Sequence, residues 1–325
     1  MPHRVAVIGA GIAGLACART LRRAGAFVDL FEKDKGVGGR IGTARLGLAP
    51  FDHGAQYITA RSPEFRTYLE ELSASGYART WEPKIAVGGE EGGNQLLRWN
   101  VGMPGMSALV RPLAESVQVH MNREVHTIAR CNGGWNIWFT DETHVGPYAA
   151  VAIAVPAPQA RLLLGPLQHL ADPLSRVRMS PCWALMVRLD EPVLPKFDVY
   201  SDMSQVVRWV GRNNSKPGRN GRGEHVVVHA SQNWSRETED ADPDLVAEEL
   251  WSEVCHILNL PPNRPSQMLA HIWTHGLVDQ SFGETYIFDG DAKVGMAGDW
   301  CAGRLAEHGF MSGIRLGRAI SESLS

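Results

Sequence analysis

A glycine-rich turn near the start of the chain constrains the fold more than any other segment. Residues 9–14 read Gly-Ala-Gly-Ile-Ala-Gly, which matches the pattern G-x-G-x-x-G. The turn follows a β-branched run at 4–8 and leads into a segment at 12–24, in which apolar side chains recur at helical spacing. A second apolar run, 27–31, ends at Glu32. This order predicts a strand–helix–strand unit with parallel strands, the beginning of an α/β fold.

Each glycine of the turn has its own physical task. Gly9 permits a tight turn, Gly11 lets the backbone approach a pyrophosphate, and Gly14 lets the helix pack closely on the strand. The N–H groups at the start of the helix attract phosphate oxygens. Glu32, 18 residues after Gly14, is placed to accept hydrogen bonds from the hydroxyls of an adenosine ribose. The pattern predicts a cofactor that contains ADP and leaves NAD and FAD as alternatives.

Three later segments resemble flavoproteins of the amine-oxidase-like superfamily. They are Gly38-Gly39-Arg40, Arg123-Glu124-Val125, and Val-Gly-Met-Ala-Gly-Asp at 294–299. In that superfamily the arginine of the first segment reaches the FAD phosphates, and the central strand pairs its backbone with adenine. The Gly-Asp of the last segment meets the ribityl chain or the pyrophosphate, and the following helix points its N-terminus at the flavin. The resemblance therefore favours FAD.

Longer segments are similar to a narrower group, the bacterial renalases, over about residues 5–320. The most specific are Asp-His-Gly-Ala-Gln-Tyr-Ile-Thr-Ala-Arg at 52–61, Arg-Asn-Asn-Ser-Lys-Pro-Gly-Arg at 212–219, and Gly-Asp-Trp-Cys at 298–301. A general dinucleotide fold does not require these residues. Shorter matches lie at 102–106, 156–160, 229–230 and 234–235.

The resemblance implies a Rossmann-type FAD-binding domain, as in p-hydroxybenzoate hydroxylase, and a substrate domain with an antiparallel sheet that covers the flavin ring. We expect the FAD domain at residues 1–60, 100–160 and 290–325, and the substrate domain at 61–99 and 161–289. Renalases oxidise 2- or 6-dihydroNAD(P) to NAD(P)+ by hydride transfer to flavin N5, and O2 is reduced to H2O2. The Ser-Gly-Gly-Cys-Tyr segment that links FAD covalently in many amine oxidases is absent from the sequence, so we expect noncovalent FAD.

The resemblance and the motifs together give the predicted site residues. The predicted cofactor-binding residues are Gly9, Gly11, Ile12, Ala13, Gly14, Glu32, Lys33, Gly39, Arg40, Gln56, Tyr57, Val125, Gly298, Asp299 and Ser312. A dihydropyridine aromatises as it gives up hydride and needs no general base, so the protein mainly has to position the rings and exclude water. The predicted substrate-positioning residues are Phe310, His229, Trp234, Asn213 and Lys216.

The substrate residues have structural alternatives. Tryptophan and phenylalanine usually belong to a core, and His229 lies in an apolar strand where a hydrogen-bonded structural role is expected as often. Residues 211–224, rich in Gly, Asn, Arg and Lys, indicate a long exposed loop. Two other functions stay open: an FAD-dependent amine oxidase, and a flavin-binding regulatory protein without catalysis.

The amino-acid composition limits the binding partners and the cellular compartment that we expect for this protein. The formal charge of −3 argues against a nucleic-acid polyanion. Five dispersed cysteines without a C-x-x-C pair argue against a disulfide framework or a metal site and favour a reducing compartment. The sequence shows no signal peptide or apolar span, so we expect a soluble, cytoplasmic protein without a membrane partner, acting on a small dihydronicotinamide and O2. The sequence does not indicate the oligomeric state.

Overall fold

The computed structural model describes residues 3–47, 49–88, 90–91, 97–165, 167–219, 221–261 and 264–325. Its strands are, in chain order, β1 (Arg4–Ile8), β2 (Phe27–Phe31), β3 (Ala44–Leu46), β4 (Ala49–Phe51), β5 (Ala78–Trp81), β6 (Ile85–Val87), β7 (Glu90–Glu91), β8 (Trp99–Gly102), β9 (Gln118–His120), β10 (Val125–Cys131), β11 (Gly134–Phe139), β12 (His144–Tyr148), β13 (Ala150–Ile153), β14 (Arg178–Leu189), β15 (Val199–Ser201), β16 (Val207–Arg212), β17 (Glu224–Ala230), β18 (Gln267–Gln280), β19 (Ile287–Asp289) and β20 (Val294–Met296). Its helices are α1 (Ile12–Arg23), α2 (Pro63–Ala74), α3 (Arg111–Ala114), α4 (Ala157–Leu163), α5 (Gln168–Ala171), α6 (Gln232–Glu237), α7 (Pro243–Ile257), α8 (Asp299–Ala302) and α9 (Ala306–Leu324), and 3₁₀ turns lie at Gly39–Ile41, Met106–Val110, Asp172–Arg176 and Asn213–Ser215.

The described chain divides into two compact units. The first unit comprises residues 3–39, 110–179 and 278–325. Its main sheet has the order β19-β20-β13-β1-β2-β9. Strands β9, β2, β1, β13 and β20 are parallel, and only the edge strand β19 runs antiparallel to its neighbour. Strands β10, β11 and β12 form a separate antiparallel sheet.

Helices α1 and α9 of this unit touch at their backbones. A Cβ atom on Gly313 would lie 2.0 Å from the carbonyl oxygen of Ala13, and one on Gly317 would lie 2.9 Å from that of Cys17. Gly309, Gly313 and Gly317 recur every four residues and therefore share one face of α9. Only glycine permits this close approach, so the small residues of the last helix define where it docks.

The second unit comprises residues 40–109 and 180–277. Its largest sheet has the order β18-β14-β17-β16-β15-β6-β7. The pairings of β14, β17, β16 and β15 with one another are antiparallel, and β15 pairs with β6 in parallel. Side chains alternate between the faces of a strand. Val210, Val226 and Val228 belong to a hydrophobic core that includes residues of α7, whereas Trp209 and His229 stand at the intervening positions.

The predicted fold class is confirmed: a Rossmann-type α/β unit and a second unit built on an antiparallel sheet. The boundaries between the units differ from the predicted ones. Residues 40–60 and 100–109 group with the second unit, and residues 161–179 and 278–289 group with the first. Part of the reason is the buried side chain of Asp52, which bonds to Lys216 and Arg219 of the same unit.

The prediction of a long exposed loop at 211–224 is wrong. Strand β16 extends to Arg212, β17 begins at Glu224, and the side chains of Asn213, Lys216 and Arg219 are buried. The composition of this segment suggested solvent exposure because it is polar. Its polar groups instead have partners inside the unit, described below.

Candidate functional site

The surroundings of the three glycines in the turn differ, so each is glycine for a different structural reason. Gly9 has a φ of 98°, and a Cβ atom there would lie 2.8 Å from the carbonyl oxygen of Ala154. A Cβ atom on Gly14 would lie 1.9 Å from the carbonyl oxygen of Gly9, so the packing of α1 against the turn requires glycine. A Cβ atom on Gly11 would have nothing within 4 Å. The open space at Gly11 fits a cofactor pyrophosphate, which a side chain there would displace.

The start of α1 leaves its N–H groups available. Gly11 is the N-cap, it provides no side-chain cap, and the first turn contains no acidic residue. Helix N-termini with uncapped N–H groups attract anions. Ile12 and Ala13, both predicted to bind the cofactor, are the first two residues of this helix. Gly39 lies nearby, since a Cβ atom on it would be 3.8 Å from the Cα of Gly11.

Glu32 follows the end of β2 and is held against the glycine turn. Its Oε2 accepts a hydrogen bond of 2.7 Å from the N–H of Ala10, and its Oε1 accepts one of 2.9 Å from the N–H of Asp34. Burial raises the pKa of Glu32 above its ordinary value, and these two donors oppose that effect. Each carboxylate oxygen retains a lone pair for a ribose hydroxyl. The neighbouring Lys33 is exposed.

The predicted cofactor residues near the C-terminus lie close to the same turn. The N–H of Gly298 donates to the Oγ of Ser312 over 3.0 Å, and Asp299 is the first residue of α8. A Cβ atom on Gly309 would be 3.2 Å from Ile12 and 3.5 Å from the N atom of Asp299. Segments almost 300 residues apart in sequence are therefore neighbours at the start of α1. This proximity was predicted only through the resemblance.

Two further predicted residues of the first unit occupy different surroundings. Val125 begins β10 and is half-buried, and the N–H of Arg123 donates to the carbonyl oxygen of Glu32 over 2.8 Å. The central strand thus starts beside the end of β2. Phe310 lies near the start of α9 and is buried.

The second unit contains a buried ion cluster centred on Asp52. Its Oδ2 accepts hydrogen bonds from Lys216 Nζ at 3.2 Å and from Arg219 Nη2 at 2.7 Å. Its Oδ1 accepts from Thr43 Oγ1 and from the N–H of Met106, both at 2.9 Å. Burial alone would raise the pKa of Asp52, but the two cations and the N–H donor hold it below its ordinary value. Asp52 is therefore a carboxylate at neutral pH.

Lys216 and Asn213, both predicted to position substrate, belong to this cluster. Lys216 Nζ also donates to Gln56 Oε1 over 3.0 Å, and burial lowers the pKa of Lys216 to about 8. Asn213 Nδ2 donates to the carbonyl oxygen of Pro50, and its Oδ1 accepts from the N–H of Asp52. Both side chains hold the second unit together, and Lys216 also fixes Gln56. A direct contact with substrate by either stays a prediction.

Histidines and a tryptophan meet around one carbonyl group. The carbonyl oxygen of His53 accepts hydrogen bonds of 3.1 Å from both His229 Nε2 and Trp273 Nε1. Burial lowers the pKa of His53 and of His229 to about 4, so both imidazoles are neutral at pH 7. His271 packs edge-on against His53 at a ring distance of 5.1 Å. His53 Nδ1 is buried and has no hydrogen-bond partner within the described residues, whereas most buried polar side-chain atoms have one.

Four aromatic residues of the same unit, Tyr57, Trp81, Trp99 and Trp209, form what we call the aromatic cluster. The rings of Tyr57 and Trp99 are stacked, 3.7 Å apart and 4° from parallel. Trp209 lies 5.9 Å from both, and Trp81 lies 5.6 Å from Trp99. A Cβ atom on Gly211 would be 2.7 Å from Trp209 Nε1, so glycine allows the indole to lie along its own strand.

Sequence reasoning missed part of this arrangement. Trp81, Trp99 and His271 lie on strands without a recognisable motif, and nothing in their local sequence marks them as parts of one site. Trp234, predicted to position substrate, is buried among the hydrophobic core residues of the second unit. Its position shows a packing role, and a contact with substrate stays a prediction.

The remaining observations concern metals, thiols and membranes. Among the described residues, no group of three or more His, Cys, Asp or Glu side chains could hold a metal ion. All five cysteines are free thiols, and burial raises the pKa of Cys17, Cys182 and Cys301 to about 12. Within the described chain, no helix is both long and apolar enough to span a bilayer.

Comparison with known families gives two matches along the chain. Residues 7–72 match an NAD(P)-binding Rossmann-like domain, and residues 78–320 match the family described as flavin containing amine oxidoreductase. Mouse renalase is 30% identical over 190 residues, which are 54% of this chain and 54% of the mouse protein. Protoporphyrinogen oxidase 2 of Arabidopsis thaliana is 41% identical over 69 residues, 21% of this chain and 14% of that protein. The chain thus spans about half or less of the length of these curated relatives.

Solved structures share the fold over nearly the whole chain. Cyclohexylamine oxidase from Brevibacterium oxydans superposes with a TM-score of 0.75 at 16% identity, covering 100% of both chains. An oxidoreductase from Methanosarcina mazei superposes with a TM-score of 0.71 at 15% identity, covering 96% of this chain and 99% of the other. At these identities the likeness concerns the fold alone.

Proposed function

Because this chain belongs to the family of flavin-containing amine oxidoreductases and its cofactor is FAD, we propose that it is a renalase-like oxidase of isomeric dihydronicotinamides. The substrate is 2- or 6-dihydroNAD(P). It loses a hydride and becomes NAD(P)+, while O2 takes up two electrons and two protons and becomes H2O2. FAD, when bound, accepts the hydride equivalent and passes the electrons to O2. The alignment with mouse renalase and the renalase-like segments at 52–61, 212–219 and 298–301 support this proposal.

The single observation that carries the proposal is the alignment with mouse renalase, which is 30% identical over 190 residues. The second unit is compatible with such a substrate, because its buried imidazoles are uncharged. His53 and His229 have a pKa of about 4 and are deprotonated at pH 7, and both are fixed by packing and hydrogen bonds. A dihydropyridine is a neutral donor whose ring becomes aromatic on loss of hydride, so it needs no proton acceptor. Neutral imidazoles and aromatic rings suit the positioning of such a ring in a water-poor environment.

The first unit supplies the cofactor contacts in this proposal. The open space at Gly11 and the start of α1 receive the pyrophosphate, and Glu32 binds the ribose hydroxyls. Asp299 and Ser312 lie at the same end of α1 and hold the remainder of the cofactor. In the second unit, Lys216 holds the Gln56 side chain in one orientation.

Anaerobic stopped-flow spectroscopy at the flavin absorption band tests the proposal. The oxidised holoenzyme is mixed in turn with 2-dihydroNAD(P), 6-dihydroNAD(P), ordinary 4-dihydroNAD(P) and a panel of primary amines that includes cyclohexylamine. We expect rapid bleaching with at least one of the 2- and 6-isomers and slow or no bleaching with the other compounds. Admission of O2 should restore the absorbance and release one H2O2 per flavin.

Two results contradict the proposal in different ways. Bleaching by amines and not by the isomers would make the protein an amine oxidase, the alternative that its family and the fold of cyclohexylamine oxidase allow. Bleaching by neither group of compounds would favour a flavin-binding protein without this catalysis.

A further inference from the structure

One ring nitrogen of His229 has hydrogen-bonding neighbours and the other has none. His229 lies on β17, and its Nε2 is 3.1 Å from the carbonyl oxygen of His53 and 3.4 Å from Nε2 of Gln56. Its Nδ1 makes no hydrogen bond with any residue that the structure describes. Nδ1 is also not one of the enclosed polar atoms that lack a partner, and the side chain is only half-buried. This nitrogen is therefore accessible to solvent.

The surroundings of Nε2 decide which nitrogen carries the hydrogen. A carbonyl oxygen only accepts, so the contact with His53 requires a hydrogen on Nε2 of His229. The amide of Gln56 offers no competing acceptor, because its Oε1 accepts from Lys216 Nζ over 3.0 Å and its Nε2 faces His229. That amide nitrogen donates to two backbone carbonyl groups. The hydrogen of the imidazole is thus held on the side of the His53 carbonyl.

The imidazole of His229 is neutral at pH 7. Burial lowers its pKa to about 4, the ammonium group of Lys216 acts in the same direction, and the hydrogen bond to His53 opposes both. A neutral imidazole has a single N–H, and the hydrogen bond that one nitrogen makes sets the state of the other. Nδ1 therefore carries a lone pair and is an uncharged acceptor.

Aromatic surface lies next to this acceptor. Trp209 is the direct cross-strand neighbour of His229, so the two side chains stand on one face of the sheet with Cβ atoms about 5 Å apart. Trp209 belongs to the aromatic cluster, in which its ring is 5.9 Å from those of Tyr57 and Trp99. Such a surface suits a flat ring. The acceptor beside it suits a ring that carries an N–H donor, as the carboxamide of a nicotinamide does.

We propose that Nδ1 of His229 accepts a hydrogen bond from the carboxamide N–H of the dihydronicotinamide ring. The inference rests on the proposed function and deepens it, since it names the atom that binds the substrate and the group that is bound. A carboxylate or a methyl ketone at the same ring position has no N–H. A site that is built to pair with the carboxamide disfavours both analogues.

The experiment replaces the carboxamide with an acetyl group, which exchanges the NH2 donor for a methyl group and keeps the carbonyl oxygen. The reactive dihydro isomer of NAD and its 3-acetylpyridine analogue are compared in wild type, His229→Phe and His229→Gln. The phenylalanine variant has no acceptor, so its ratio of kcat/KM values gives the intrinsic difference in reactivity. In wild type the analogue should lose about tenfold or more in kcat/KM beyond that ratio. His229→Gln, whose amide can donate to the His53 carbonyl and accept from the substrate, should recover part of the discrimination.

His225→Phe is the matched control. His225 is also a buried histidine of β17, but it lies four residues from His229, about 13 Å along the strand, and packs on Phe51. Its variant should discriminate between the two substrates as wild type does. Flavin spectra and melting temperatures verify that each variant is folded and loaded.

Two further measurements do not depend on turnover. Isothermal titration of the oxidised holoenzyme with NAD+ and with its 3-acetylpyridine analogue should show about tenfold weaker binding of the analogue in wild type, and Kd values within about threefold of each other in His229→Phe. Nitrogen-15 NMR of the histidine-labelled holoenzyme, assigned with His229→Gln, should show the Nε2–H tautomer of His229 at pH 7. The Nδ1 resonance should move upfield when NAD+ binds and remain in place when the analogue binds.

The outcomes separate this inference from the function beneath it. Equal discrimination in wild type and His229→Phe, or an Nδ1–H tautomer of His229, overturns the carboxamide contact while dihydronicotinamide oxidation stands. A wild-type enzyme that no dihydronicotinamide reduces overturns the proposed function itself. In that case, an Nδ1 resonance that NAD+ still shifts would support the carboxamide contact without turnover.

Discussion

Replacing Glu32 with alanine should reduce the affinity for FAD far more than the stability of the apoprotein. The carboxylate accepts hydrogen bonds from the N–H groups of Ala10 and Asp34, at 2.7 and 2.9 Å. Asp34 is exposed, so water replaces the lost acceptor there. Ala10 is buried, and its N–H loses its partner. A buried donor left without a partner costs about 1–3 kcal/mol, which is the expected loss in the free energy of unfolding.

The loss in cofactor binding should be larger. A carboxylate that accepts hydrogen bonds from both ribose hydroxyls makes two charge-assisted bonds, each contributing roughly 1.5–3 kcal/mol. Their removal corresponds to about a 10²- to 10⁴-fold increase in the Kd for FAD. Glu32→Gln keeps the shape and one acceptor oxygen, so its Kd should lie between those of wild type and Glu32→Ala.

The assay is a titration of apoprotein with FAD, followed by quenching of flavin fluorescence, together with urea unfolding of the apoprotein. Asp34→Ala is the matched control, because it removes an exposed carboxylate two residues away. It keeps the backbone N–H from which Glu32 accepts a hydrogen bond. Its Kd should remain within about threefold of wild type, as expected for an exposed charge. An unchanged Kd in Glu32→Ala, with the apoprotein still folded, would refute the assignment of Glu32 to the ribose.

Three further predictions concern the glycine turn, the histidines and the ion cluster. Gly11→Ala should leave the melting temperature of the apoprotein unchanged and weaken FAD binding. Gly14→Ala should prevent folding, because its Cβ would lie 1.9 Å from a carbonyl oxygen. An unchanged FAD affinity in Gly11→Ala would contradict the assignment of the open space to the pyrophosphate. The unfolded chain binds protons at His53 and His229 near pH 6.5 and the folded protein near pH 4, so the free energy of unfolding should fall as the pH decreases through this range. Urea unfolding as a function of pH should show this fall, and a shallower one in His229→Gln; an identical slope would exclude His229 as its source. Asp52→Asn leaves two buried cations without their anion and should cost about 3–5 kcal/mol in the same unfolding assay, whereas a loss below about 1 kcal/mol would mean that water already reaches the cluster.

Local patterns predicted the first elements of the fold well. The strands at 4–8 and 27–31 are found at those positions, and the helix predicted at 12–24 ends at Arg23. These elements follow from short-range rules: β-branched runs, helical periodicity, and glycines at defined turns. The spacing of four residues between Gly309, Gly313 and Gly317 is an equally local feature of the sequence.

The second unit was less predictable because its polar interior depends on distant partners. Asp52 meets Lys216 and Arg219 more than 160 residues later, and nothing within either segment indicates that pairing. The polar segment that contains Lys216 was therefore interpreted as a solvent-exposed loop. Trp99 and His271 gave no signal for the same reason, since their neighbours come from other strands.

The order of strands in the first unit has a consequence for biosynthesis. Strand β1 occupies the middle of its sheet, yet its neighbour β13 ends only at Ile153, and α9, which packs on α1, begins at Ala306. On the ribosome, β1 and α1 therefore emerge long before the segments that shield them. Nascent chains interrupted before α9 should expose one side of α1 and attract chaperones, and completion of this unit must await the synthesis of α9.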